Sequence, residues 1–113
     1  MPGFTIDSIK ARNAREGFFF FEPETLRFFR SKVGRTVYEG PGGVFFWTSE
    51  QMVFSDGSRE RRSYTVRRFS RITGEVKTVG NFQGHLRIRD AANEAKRLAH
   101  RLPSQEPMIG YEV

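Results

Sequence analysis

The residues best equipped for chemistry in this chain are arginines. In the run SRERRSYTVRRFSRITGEVKTV, from Ser58 to Val79, the stretch Arg59 to Arg71 sets Arg59, Arg61, Arg62, Arg67, Arg68 and Arg71 against one acid, Glu60, with Lys77 following the Thr73-Gly74 turn. Guanidinium forks, lysines and nearby hydroxyls such as Ser58, Ser63 and Thr65 are the groups that hold phosphate oxygens. A second basic set, Arg89, Lys96 and Arg97, falls near the C-terminus. If the two sets align, the footprint spans several phosphates and binding falls steeply with salt. The competing expectation is a solubilising surface, with some arginines paired to Glu60 and Glu75 across a hairpin.

Catalysis finds less support, and no catalytic residue is expected. His85 and His100 lack metal-ligand spacing, and no acid nominates itself as a third ligand, so neither a metal nor a cofactor is expected. There is no G-x-S-x-G, and the GPGG stretch lacks the GK[ST] ending of a phosphate loop. Glu50, Asp56 and Glu60, the closest carboxylates, read as solvated loop charges. The expected role is non-catalytic binding.

The totals agree. The 113 residues carry 19 Lys+Arg against 13 acids, a formal charge of +6. Such an excess attracts nucleic acid or acidic protein at long range. Without cysteine there are no disulfides and no thiolate sites, which fits a reducing compartment. No apolar run approaches the roughly 20 residues of a membrane span. The start, MPGFTIDSIK, does not read as a secretory signal. A cytoplasmic protein with no membrane contact is the expectation.

Positioning these residues requires a fold, and the pattern predicts α+β. A small, mainly antiparallel sheet packs against a long C-terminal helix, with two short N-terminal helices. Residues 1–102 form one domain and 103–113 a tail. Thr5 to Glu16 reads as a surface helix capped by Thr5. Phe18 to Phe21 reads as a short buried strand or a connector wedged into the core. A second helix opens at Glu22-Pro23 and runs through Arg30 and Lys32 to Gly34, with Leu26, Phe29 and Val33 on its apolar face. Arg35 to Glu39 and Val44 to Thr48 are strands around a Pro41-Gly42-Gly43 turn. Ser49 to Gly57 either continues the second of these or forms a small lobe. The arginine run is a hairpin whose Arg67 and Arg68 face opposite ways. Leu86 to Leu102 is the clearest helix, with Ile88, Ala91, Ala92, Ala95, Leu98, Ala99 and Leu102 on one side and Arg89, Asn93, Lys96, Arg97 and His100 opposite.

A protein partner is the other class of function. Phe28, Phe18 and Phe19 are candidate anchors for it, framed by arginines. Sequence-specific base readout is not expected, since no helix-turn-helix, zinc finger or RNA-recognition aromatic pair stands out.

Several stretches together resemble a known group: Pro23 with Glu24-Thr25-Leu26-Arg27-Phe28-Phe29 and Ser31-Lys32-Val33, then Phe46-Trp47-Thr48-Ser49-Glu50, Tyr64-Thr65-Val66-Arg67 with Phe69, Gly74, and Gly80-Asn81-Phe82. Over roughly Ile6 to Leu98 the chain resembles a family of small uncharacterised proteins from bacteriophages, plasmids and their hosts. The resemblance carries no site residues. It implies an accessory protein of a mobile element: a nucleic-acid-associated helper, or an anti-CRISPR-like inhibitor that binds an acidic host defence protein such as a CRISPR effector. A homodimer, or an oligomeric accessory module, is a further possible arrangement.

Overall fold

The computed structural model describes residues 3–101; Leu102 and the expected tail, 103–113, lie outside them. The elements run α1 (Ile6–Arg15), α2 (Pro23–Phe28), β1 (Phe29–Val33), β2 (Tyr38–Gly40), β3 (Gly43–Met52), β4 (Ser63–Phe69), β5 (Val76–Val79) and α3 (Ile88–His100). This is the α+β arrangement that the periodicities predict. None of the described helices is long and apolar enough to cross a membrane.

The sheet is built on β3. One edge of β3 pairs β2 along its first residues and β1 along its last, while the other edge pairs β4, which in turn pairs β5. Every pairing is antiparallel. The stretch after Thr48 therefore continues the strand to Met52. Bulk on both sides of β3 follows from its central place, because each face is covered by something different. On one face Phe45, Val66 and Val79 pack against Ala91, Ala95, Leu98 and Ala99 of α3. On the other, Val44, Phe46 and Phe69 pack against Ile9 of α1, with Phe4, Phe20, Val33 and Val76 around them. Fully burying one such aliphatic or phenylalanine side chain contributes about 1.5–3 kcal/mol.

α1 opens on a reciprocal cap. Thr5 Oγ1 accepts from the Ser8 amide at 3.1 Å, and Ser8 Oγ accepts from the Thr5 amide at 2.9 Å. Its apolar stripe is thin, as expected, and only Ile9 and Asn13 are buried. Its last turn grips the β4–β5 turn instead: Arg12 donates to the carbonyls of Arg71 and Ile72, and Asn13 Nδ2 to that of Gly74.

Three expectations need correction. The second helix stops at Phe28, and Phe29–Val33 is a strand rather than its continuation. Leu26, Phe29 and Val33 do sit at helical spacing, but Phe29, Ser31 and Val33 also alternate with Arg30 and Lys32. Pairing with β3 along its whole length holds the segment extended, and Leu26 stays exposed. Phe18 to Phe21 form no strand, and Phe18 and Phe19 are exposed. Phe20 alone of the run stacks on a core ring, Phe46, at 5.6 Å. The last helix begins two residues later than expected, with Leu86 and Ile88 exposed at its entrance.

The Pro41-Gly42-Gly43 turn locks α3 to the sheet. The Gly42 amide donates to the Ala99 carbonyl at 2.9 Å, and a Cβ at Gly42 would collide with the Leu98 carbonyl and lie 2.8 Å from that of Arg101. A Gly42→Ala variant should therefore lose roughly 1–3 kcal/mol of stability, the usual range for an overpacked contact. In urea denaturation this should lower the midpoint and leave the slope unchanged.

Candidate nucleic-acid interface

The basic residues named from the sequence do not share one surface. Arg59 and Arg61 are exposed on the approach to β4. Arg62, at the end of that approach, folds back so that Nη1 donates to Ser49 Oγ at 2.6 Å. Arg68 lies on the α3 face over the Phe45 ring, its Nε buried without a partner, and Lys77 is its neighbour on β5. The Lys77 ammonium is 3.8 Å from Glu75, and Arg71 sits 3.7 Å from Glu39. Arg89 and Lys96 are exposed on the outer side of α3. Arg97 is held by both oxygens of Glu94, at 2.9 and 2.7 Å.

Arg67 is on the opposite face from Arg68, as strand alternation requires, and it is spent inside the protein. Glu50, expected as a solvated loop charge, is fully buried in β3. Its Oε2 accepts from Arg67 Nη2 at 3.1 Å and its Oε1 from Thr65 Oγ1 at 2.8 Å. Arg67 also donates to Thr48 Oγ1 at 2.9 Å and to Thr78 Oγ1 at 2.8 Å. Gln83, with a left-handed φ of 57°, closes the cluster by donating its amide to Thr65 Oγ1 and its side chain to the Glu50 carbonyl. A charge in this position is tolerated only when paired and hydrogen-bonded. Arg67 is thus removed from any phosphate-binding set. Arg71 and Arg97 are partly neutralised by their carboxylates.

The fold brings together a different set, which the helical reading of Arg30 and Lys32 hides. As strand residues they lie on the α3 face, exposed, opposite Gln51 and Ser49. Ser49 in turn opposes Tyr64, and Gly34, just past β1, adjoins Trp47 through a hydrogen bond to its carbonyl. α3 packs over β2, β3 and β4, so the β1 quarter of this face stays open. It holds Arg30, Lys32 and Arg62 beside half-buried Trp47 and Tyr64, whose rings meet edge to face at 5.6 Å. Among the described residues no carboxylate pairs with Arg30, Lys32 or Arg62. The alternation in Phe29-Arg30-Ser31-Lys32-Val33 was the signal that could have revealed it.

The aromatic candidates are exposed but separate. Phe28, Phe18 and Phe19 all reach solvent, and no ring pairing links Phe28 to the other two among the described residues. The Arg27 guanidinium lies 5.5 Å from the Phe28 ring. His85 bridges Tyr64 through backbone, and His100 is exposed near the end of α3. No three potential metal ligands gather among the described residues.

Two measurable consequences follow from these pairings. Arg67→Ala should cost about 3–5 kcal/mol, because it strands the buried Glu50 carboxylate. The double variant Glu50→Gln/Arg67→Met should recover much of that loss in urea denaturation. The Arg97 hydrogen bond, with a Coulombic contribution from Arg97, His85 and Arg101, holds the Glu94 carboxyl below its ordinary value against some desolvation. A depressed carboxylate adds stability that is present above its unfolded pKa and lost as pH falls through the lowered one. Arg97→Gln should therefore flatten the acid limb of the stability profile slightly, the pair being partly exposed.

Residues 5–96 match the model of a family of unknown function, DUF7447, a span that includes every strand and the whole open quarter of the α3 face. No curated protein and no solved structure matches the chain significantly. With most of its length inside that match, the chain belongs to DUF7447, a family of unknown function.

Proposed function

We propose that this is a non-catalytic nucleic-acid-binding protein whose contact surface is the open quarter of the α3 face. The observation that carries this is the set of Arg30, Lys32 and Arg62, three cations without carboxylate partners on neighbouring parts of one sheet face. Cations whose charge is not neutralised by a carboxylate, Arg62 included although it donates to Ser49, can neutralise phosphates and release counterions, the main source of sequence-independent affinity. The formal charge of +6 favours the encounter from a distance. Arg59 and Arg61 on the approach to β4, and Arg89 and Lys96 on the outer side of α3, are exposed and available to extend the footprint.

A protein partner is the second reading, favoured by Phe19 and Phe28, which are 67% and 51% exposed. In that case the protein would act as a phage- or plasmid-encoded inhibitor gripping an acidic host defence protein. The two readings separate by which variant abolishes capture of the partner, Phe28→Ser or Arg30→Ala/Lys32→Ala/Arg62→Ala.

The direct test is anisotropy of labelled DNA and RNA across a salt series. Wild-type protein should bind at low salt, with log affinity falling linearly against log salt. The triple variant should flatten that slope by roughly 2–3, since each phosphate contact contributes about 0.7 on single strands and 0.9 on duplex. An absence of affinity at about 50 mM salt would exclude nucleic acid and leave the protein partner.

A further inference from the structure

Resting on the surface proposed above, we infer that its ligand is a single strand, with unpaired bases stacking on Trp47 and Tyr64 while Arg30, Lys32 and Arg62 hold the phosphates. The register sets out the ligand's path. Lys32, Ser49 and Tyr64 form one row across β1, β3 and β4 on the α3 face, and Gly34 and Trp47 form the next row inward. Arg30 and Gln51 form the row outward, and the Arg62 guanidinium lies over Ser49. Rows two residues apart are about 7 Å apart and strands about 4.8 Å, so rings and cations alternate at the scale of a nucleotide.

Trp47 is shaped for this. A Cβ at Gly34 would fall within 2.6 Å of Cζ2 and 2.8 Å of Cδ2 of the indole, so the glycine backbone sits directly against the ring. The indole is thereby laid across the sheet with one face on Gly34; Trp47 and Tyr64 also pack against the α3 cluster, and each remains only partly buried. Tyr64 stands edge-on beside it. Flat aromatic surface framed by cations is useful to splayed bases, whose π-faces are hidden within a duplex. Duplex readout uses an element that enters a groove, whereas Trp47 and Tyr64 are seated on the sheet face itself, on β3 and β4.

Trp47 is the single tryptophan of the chain, so its emission reports on this one place. The protein is titrated with an oligothymidine, the same strand paired with oligoadenosine, an abasic strand of equal length, and inorganic polyphosphate. Binding is read by anisotropy or competition and stacking by Trp47 fluorescence. The expected result is tightest binding of the oligothymidine with quenching of Trp47, while the abasic strand and polyphosphate bind more weakly and leave the emission unchanged. Tyr64→Leu should weaken the oligothymidine complex about five- to a hundred-fold, the range for loss of one stacked base, without changing the salt slope. Trp47→Phe, which keeps an aromatic ring in the packing, should weaken it less. Circular dichroism establishes that each variant is folded. Equal affinity for single strand and duplex with unaltered emission would overturn the stacking inference and leave the phosphate-binding surface intact. Failure of the folded protein to bind any of these polyanions at low salt would overturn both.

Discussion

A buried carboxylate on the central strand governs how this small protein is put together. Glu50 has no exposure at all and sits in the one strand that touches β1, β2 and β4. Its charge must be met inside the fold, which commits Arg67 and Thr65 from β4, while Gln83 from the loop after β5 donates to the Glu50 backbone carbonyl. Thr48 and Thr78 then accept from Arg67 Nε and Nη1. That demand divides the α1 face into two parts. One end is apolar, with Val44, Phe46 and Phe69 against Ile9. The other is a polar cluster bounded by the Arg67–Phe82 and Phe29–Phe82 contacts. Replacing such a cluster by apolar groups can be neutral for stability, so its value lies in fixing the strand register and the course of the 80–84 loop.

The opposite face is organised by area. α3 offers small residues, Ala91, Ala95 and Ala99, that let its backbone come close to the sheet, and its last turn is tied to the turn before β3. A helix of this length covers only part of a five-stranded sheet. The uncovered part falls over β1, which carries Arg30 and Lys32 outward on the same face. The open sheet quarter carries cations and half-buried rings, whereas the corresponding end of the α1 face is taken up by the Glu50–Arg67 cluster.

Charge count alone is a poor guide to such a surface. Most of the arginines that make the chain basic in sequence are divided by strand alternation, held by carboxylates, or used as structural donors to carbonyls and hydroxyls. Arg67 and Arg68 are adjacent in the chain, yet one is buried with Glu50 and the other lies over Phe45. Arg12 serves the β4–β5 turn. Arg30, Lys32 and Arg62 are distinguished by the absence of a carboxylate partner more than by their density in sequence.

Much of the architecture was legible without coordinates. The capping Thr5 located α1, period-3.6 spacing located α3, period-2 spacing and turn residues located β3 and the β4–β5 hairpin, and the α+β class followed. These are local properties, decided by neighbours a few residues away. The identity of β1, the burial of Glu50 and the dispersal of the arginines were not legible. A five-residue segment with both helical and alternating spacing is settled by whether a neighbouring strand pairs it, and β3 lies well downstream. A carboxylate reads as solvated until the arginine opposite it is known, and Arg67 reaches Glu50 only across the β3–β4 register. The amino-acid order by itself determined the class of the fold, most of its elements and how basic the chain is. Long-range pairing alone decided which cations are consumed within the fold and which are left, around Trp47, facing outward.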